Sequence, residues 1–179
     1  MWRGNIYDPA RHHRRSIRLP DYDYAQGAAY FVTICVQGRA CTLGSVVDGT
    51  MCLSAHGEIV AHCWTMLPAY FPTIVLDACV LMPNHVHAII FLSEQTPAPE
   101  EMTPHPDQPS LGRIVGAFKS ISTRQINAQQ GLTGTFWQHN YYEHIVRNER
   151  SLARLQTYIA ENPARWEADQ LHPVAATKW

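Results

Sequence analysis

Two apolar runs joined by only three residues constrain the fold of this chain more than any other feature. Thr73–Leu81 and His85–Leu92 are rich in apolar and β-branched residues, as β-strands are, and only Met82-Pro83-Asn84 lies between them. A connection this short cannot hold a crossover helix, so the two strands must pair antiparallel. The chain therefore contains a β-hairpin whose second strand begins at a histidine.

The remaining patterns fit around that hairpin in a regular order. Ala29–Val36 predicts a first strand, and Asp48-Gly49 predicts the turn of an edge hairpin within Leu43–Leu53. Helical spacing and capping residues predict three helices, over 54–70, 111–130 and 149–162. A further strand is predicted over 136–146. This order contains a βαββαβ core. It predicts an α+β fold of the ferredoxin-like, split-βαβ kind, with an antiparallel sheet and helices on one face.

A length of 179 residues suits one compact domain with terminal extensions. We expect the folded domain over 29–166, with a Pro-rich loop over 93–109. Residues 1–28 would form a basic N-terminal arm and 167–179 a C-terminal tail. Because five arginines and one aspartate lie within residues 1–20, the arm is predicted to contact phosphate despite a net charge of −1 for the chain.

The five cysteines are odd in number and form no CxxC pair, which favours buried, reduced thiols. No apolar run follows the N-terminal arginines at signal-peptide length, and no segment approaches the about 20 apolar residues that span a bilayer. We therefore expect a cytoplasmic, nucleoid-associated protein that does not contact membranes.

His85 and His87 stand at the start of the second strand of the central hairpin. Since side chains alternate along a strand, both imidazoles project from the same face and could bind one divalent metal. Half-exposed strand histidines without a ligand remain the alternative. A histidine-triad nucleotide hydrolase is disfavoured because Ile89 stands where its third histidine would be, and a zinc deaminase because it needs Glu at the place of His87 and a CxxC downstream.

The third predicted helix carries a tyrosine and an asparagine four residues apart. With about 100° per residue, Tyr158 lies about 90° and Asn162 about 50° from the centre of the buried stripe, on the same flank. A nucleophile and a carbonyl ligand at this spacing could reach one metal-bound phosphate. The same pattern fits an ordinary tyrosine on the helix flank and an asparagine that caps the helix before Pro163.

Six strings, in this order along the chain, resemble the small single-tyrosine transposases of the HUH nuclease superfamily, and within it the REP-associated tyrosine transposases. They are RRSIRLPDYDY (14–24), AYFVTICVQGR (29–39), VLMPNHVHAII (80–90), GAFKSISTRQIN (116–127), FWQHNYYEHIVRN (136–148) and YIAENP (158–163). The resemblance covers most of the chain, apart from 93–109 and the tail after Trp166.

The resemblance implies that His85 and His87 bind a metal, Mg²⁺ or Mn²⁺, with Asn162 as the third ligand and Tyr158 as the nucleophile. It implies a catalytic domain over 29–166 that recognises hairpins in single-stranded DNA. It also implies a monomer or a homodimer, since members of both kinds occur. Attack by the tyrosine would leave a 5′-phosphotyrosine link and a free 3′-OH, so that a second 3′-OH can reverse the step and join strands.

Basic and aromatic residues on the predicted elements are the expected DNA contacts. Those expected to contact phosphate are Arg14, Arg15, Lys119, Arg124 and Arg147, and those expected to stack on unpaired bases are Trp137, Tyr141 and Tyr142. A core role is an equal alternative for Tyr142, which is also a competing nucleophile. Two other functions remain open: a module that only binds structured single-stranded nucleic acid, and a metal-dependent phosphoesterase that uses water.

Overall fold

A computed structural model describes residues 28–92 and 109–174 of the chain. Arg14 and Arg15, the rest of the N-terminal arm through residue 27, most of the Pro-rich segment and the last five residues lie outside the described residues.

One antiparallel sheet forms the centre of the described structure. Its strands are β1 (Ala28–Cys35), β4 (Ile74–Met82), β5 (His85–Leu92) and β6 (Tyr142–Val146), in the order β4-β5-β1-β6. The first and third strands of the βαββαβ core are therefore central, as in a split-βαβ fold. The predicted ferredoxin-like α+β class is confirmed. The predicted edge hairpin forms a separate pair, β2 (Gly44–Val47) with β3 (Thr50–Leu53).

The helices lie on both faces of this sheet. They are α1 (Ala55–Thr65), a short α2 (Leu67–Tyr70), α3 (Leu111–Gln130) and α4 (Glu149–Glu161), and a 3₁₀ helix over Pro163–Ala168 follows. The helices within the βαββαβ core, α1 and α3, pack on one face, as predicted, whereas α4 follows the core and packs on the opposite face. None of the described helices is long and apolar enough to cross a membrane.

Strand alternation explains how one sheet carries two cores. In β1, Val32 and Ile34 point to the larger core, where they meet residues of α1 and α3 such as Phe118. Phe31 points the other way and packs with Ile159 of α4 in a smaller core. The small core leaves room for polar groups beside it, and the two histidines of β5 lie on that face.

Side-chain caps set the helix starts that the sequence predicts. Ser54 accepts the Gly57 N–H at 3.1 Å, and Asn148 accepts the Ser151 N–H at 2.8 Å. Gly131 ends α3 with a left-handed φ of 63°, a conformation that glycine adopts without steric cost.

The fourth strand of the sheet is shorter than the predicted 136–146. Trp137 forms only an isolated bridge with Val36, and the chain rejoins β1 at Tyr142. Between them, the carbonyls of residues 138, 139 and 140 turn toward the Lys119 ammonium, which donates to all three at 3.0, 3.3 and 3.2 Å. These carbonyls are therefore directed away from the β1 ladder.

Candidate active site

His85 and His87 lie on the face of β5 that α4 covers, and both are almost fully buried. His87 pairs with Thr33 across the sheet, and Thr33 Oγ1 is hydrogen-bonded to His87 Nδ1 at 2.8 Å. His85 Nδ1 lies 2.7 Å from Asn84 Oδ1. Because an amide oxygen only accepts, Nδ1 of His85 carries the proton and its Nε2 offers a lone pair.

Both imidazoles are in the neutral form that binds metals. Burial lowers the pKa of His87 to about 4. Burial, together with the nearby His87 and Arg39 charges, lowers the pKa of His85 well below its ordinary value. At neutral pH neither ring has to lose a proton before it can coordinate a cation.

Tyr158 reaches this pair from α4. Its phenol oxygen lies 3.2 Å from Nε2 of His87, and its ring is 5.2 Å from the His87 ring, centroid to centroid. The Phe31 ring packs against both residues. It stacks on the His87 ring with a centroid distance of 5.3 Å, and it contacts the Tyr158 ring edge-on with a centroid distance of 6.1 Å. The phenol remains accessible, since Tyr158 is 39% exposed.

Asn162 lies at the end of α4, one turn beyond Tyr158, and is 2% exposed. It is the helix C-cap by backbone position, and its side chain lines the same cleft as His87 and Tyr158. Its Oδ1 is buried and accepts no hydrogen bond within the described part of the chain.

Asp169, which the sequence patterns did not single out, completes the group. One carboxylate oxygen accepts the Leu171 N–H at 2.6 Å, and the other lies 3.9 Å from Nε2 of His85, beyond hydrogen-bond range. Potential ligand atoms of His85, His87 and Asp169 all lie within 4.8 Å of one another. Burial raises the pKa of Asp169, an effect that the Leu171 N–H and the His172 charge partly offset.

These residues fit a divalent cation. Nε2 of His85 is a buried acceptor without a hydrogen-bond partner in residues 28–92 and 109–174, as is Oδ1 of Asn162. Leaving such groups unsatisfied costs on the order of 1–3 kcal/mol each, so they are rare without a ligand or water. Two neutral imidazoles with carboxylate and amide oxygens form a donor set that a divalent metal can use.

Burial raises the pKa of the Tyr158 phenol; the Asn162 side chain lowers it by hydrogen bonding, and the Asp169 charge raises it further. By itself, the protein therefore favours the neutral phenol. A nucleophilic role for this tyrosine needs an additional positive charge close by.

The site opens into a cleft of about 780 Å³. His87, Asn162 and Asp169 line this cleft. Its aromatic lining residues are Phe31, Tyr141, Tyr142 and Tyr158. Tyr142 is 43% exposed and pairs with Thr33 in the sheet, which puts it on the same face as His87. Unpaired bases are a ligand class that such aromatic walls suit.

The other predicted DNA contacts are spread over the molecule. Trp137 is a correction: it is 5% exposed and donates its indole N–H to Ser122 at 2.9 Å, so it is a core residue with no ring face for a base. Lys119 holds the carbonyls of the 138–140 loop and lies 5.3 Å from the centre of the Tyr141 ring. Arg124 is exposed on α3, and Arg147 is exposed between β6 and α4.

Three polar residues of the site were missed: Thr33, Asn84 and Asp169. Thr33 could have been found, because it lies on the same face of β1 as Phe31 and would meet a neighbouring strand. Asn84 directly precedes His85, and its place in a tight turn accounts for it without a role in the site. Asp169 carries no local signal and lies in the predicted tail after Trp166. The folded structure continues through this segment, since the Asn84 side chain donates to the Leu171 carbonyl at 2.7 Å.

Comparison with known proteins relates the chain to two proteins of Haemophilus influenzae. An uncharacterized protein is 38% identical over 175 residues, which cover 93% of this chain and 97% of that protein. A candidate REP-associated tyrosine transposase is 25% identical over 153 residues, which cover 80% of this chain and 74% of that protein. No protein-family model matches the chain.

Among solved structures, a REP-associated tyrosine transposase bound to a REP hairpin has the same fold, with a TM-score of 0.59 at 19% identity. The match covers 90% of this chain and 92% of that chain. Fold and sequence together define a chain that is like the REP-associated tyrosine transposases. It belongs to one family with the uncharacterized Haemophilus influenzae protein.

Proposed function

We propose that this protein is a metal-dependent single-stranded DNA endonuclease and strand transferase, a transposase that acts at hairpin or palindromic repeat DNA. The observation that carries the proposal is the distance of 3.2 Å between the phenol oxygen of Tyr158 and Nε2 of His87. Beside this pair, the buried acceptors Nε2 of His85 and Oδ1 of Asn162 have no hydrogen-bond partner in the described structure. The structural relative is bound to a REP hairpin, which supports hairpin DNA as the ligand.

His85 and His87 would hold Mg²⁺ or Mn²⁺, with Asn162 and Asp169 as the candidate oxygen donors. Once bound, the cation would polarise the scissile phosphate and favour the phenolate form of Tyr158.

The tyrosine performs the covalent step. The Tyr158 oxygen forms a bond to phosphorus as the bond from phosphorus to the 3′ oxygen breaks, which leaves a 5′-phosphotyrosine and a 3′-OH. The phenol releases one proton and the 3′ oxygen takes one up. Because the phosphodiester energy is conserved in the new bond, another 3′-OH can reverse the step and join strands without ATP.

The neighbours of the phenol prepare this step. The phenol oxygen of Tyr158 lies within hydrogen-bond distance of Nε2 of His87, and the Phe31 ring contacts the rings of both residues. Holding the nucleophile in place before the reaction lowers the entropy cost of attack.

Labelled hairpin oligonucleotides incubated with Mn²⁺ or Mg²⁺ and resolved on denaturing gels test the proposal. We expect a covalent adduct with the natural protein and none with Tyr158→Phe, while hairpin binding changes little because only one hydroxyl is lost. Tyr70→Phe, at an exposed position of α2, is the matched control and should form the adduct normally. Adduct formation by Tyr158→Phe, or its loss in Tyr142→Phe instead, would show that the nucleophile is assigned wrongly.

The same gels distinguish the other functions. His87→Ala should abolish metal-dependent cleavage, and normal cleavage by this variant would refute the ligand assignment. Released fragments without an adduct would indicate a phosphoesterase that uses water. A mobility shift without cleavage would indicate a binding module.

A further inference from the structure

A second groove runs along the outer surface of α4. It has a volume of about 620 Å³, and its walls come from α4 and the 3₁₀ helix that follows; the lining residues are Arg150, Ala153, Arg154, Thr157, Tyr158, Glu161 and Arg165. Tyr158 also lines the cleft of the active site, so the groove and the cleft meet at the proposed nucleophile.

Two arginines of α4 line this groove in a row that ends at Tyr158. Arg150, Arg154 and Tyr158 are spaced by four residues, which puts them in one row on the helix surface, each about 6 Å further along the axis. Both arginines are exposed. A row of guanidinium groups that ends at a phenol would bring a chain of phosphates to that phenol.

The charge of the groove favours an anion. Arg165 is paired with Glu161 at 2.5 Å, whereas neither Arg150 nor Arg154 has an acidic partner among the residues that the structure describes. Among the lining residues that the structure describes, three arginines and one glutamate leave two net positive charges. Apart from Tyr158, the described lining residues carry no aromatic ring, and Ala153 and Thr157 are small, so the groove suits phosphates rather than stacked bases.

We propose that this groove binds the sugar-phosphate backbone of a single strand next to the scissile phosphate and guides it to Tyr158. The inference rests on the proposed function. Arg150 and Arg154 would act as positioning residues through phosphate contacts that carry no sequence information, while the aromatic cleft on the other side of Tyr158 takes unpaired bases.

Binding in the Tyr158→Phe background tests this without cleavage. Fluorescence anisotropy would follow labelled hairpins with a 5′ single-stranded extension, a 3′ extension or neither, over a range of KCl concentrations. Arg150→Gln with Arg154→Gln should weaken binding of one extended hairpin and lower the slope of log K against log salt by about 0.7 per arginine. Binding of the blunt hairpin should not change.

Two controls accompany the double variant. Arg113→Gln removes an exposed arginine from α3, on the opposite face of the sheet, and should leave the slope unchanged. Arg150→Lys with Arg154→Lys keeps both charges and should retain the natural slope, although it changes the same two positions.

The outcomes separate the two proposals. If the Tyr158→Phe protein binds no hairpin at all, the proposed function fails. If it binds extended hairpins and the Gln double variant binds them with the same affinity and salt slope, the groove proposal is overturned while the proposed function stands. Equal weakening for blunt and extended hairpins would also overturn it, because the arginines would then contact the hairpin itself.

Discussion

At the scale of single residues, the state of the two imidazoles depends on neighbours outside the His-Val-His motif. Asn84 fixes the tautomer of His85, and Thr33 orients His87 from the adjacent strand. Such partners hold a ligand ring in place and set which nitrogen faces the metal. Lys119 has a comparable role for the backbone, since its ammonium orients the loop over residues 138–140.

Thr33→Val should separate this orienting role from packing. The change keeps the shape of a buried side chain and removes only the Oγ1 bond to Nδ1 of His87. We expect Mn²⁺ affinity, measured by titration calorimetry, to fall by about 10–100-fold with little change in melting temperature. Thr65→Val, which removes an exposed hydroxyl bonded to the His62 carbonyl, is the control and should bind Mn²⁺ normally. Undiminished affinity in Thr33→Val would mean that His87 needs no orienting partner.

At the scale of elements, the strand and helix periods decide which way the side chains point. Where two elements approach closely, the size of the side chain is also limited. Alternation in β5 turns both histidines to α4, and the 3.6-residue period of α4 turns Tyr158 and Asn162 to the histidines. In α1, a Cβ atom on Gly57 would lie 2.1 Å from the Leu43 carbonyl oxygen. The backbone before β2 therefore packs against a helix surface that has no side chain at this point.

Alanine at two helical glycines should have opposite effects on stability. Gly57→Ala forces the Leu43 backbone away from α1 and should destabilise the protein, by about 1–3 kcal/mol as for other overpacked sites. In Gly116→Ala, the added Cβ in α3 meets no described atom within 4 Å beyond the backbone of its own helix, and the change should stabilise by about 0.5–1 kcal/mol because alanine is the better helix former. Urea denaturation of both variants measures the difference. A stable Gly57→Ala protein would show that Leu43 moves freely.

At the scale of the whole molecule, the site joins parts of the chain that are far apart in sequence. The Tyr158–His87 contact spans 71 positions, and the bond from Asn84 to the Leu171 carbonyl spans 87. A cation bound by these elements would link the sheet to α4 and to the segment after it. Ligands that bind only the folded state raise its stability.

Thermal denaturation with Mn²⁺ or EDTA should detect this linkage. At about 100 times its Kd, Mn²⁺ should add about 2.7 kcal/mol, or about 5–10 °C in Tm for a chain of this size. Asp169→Asn should lose much of that rise, because it removes the charged oxygen 3.9 Å from Nε2 of His85. Glu167→Gln, exposed in the same segment, should keep it. If Mn²⁺ raises the Tm of Asp169→Asn fully but does not raise the Tm of Asn162→Ala, the oxygen ligand is Asn162 alone.

The sequence by itself determined the local features of this protein: the antiparallel hairpin with its tight turn, the shared face of His85 and His87, the helix caps and the shared flank of Tyr158 and Asn162. These follow from backbone periods and capping chemistry, which act over a few residues. Only the tertiary structure decided that α4 covers the histidine face, that Asp169 joins the site, that Trp137 packs in the core, and that the Lys119 ammonium bonds the carbonyls of residues 138–140. Such contacts depend on how distant elements pack, because burial and long-range hydrogen bonding leave no periodic pattern in the sequence around a single residue.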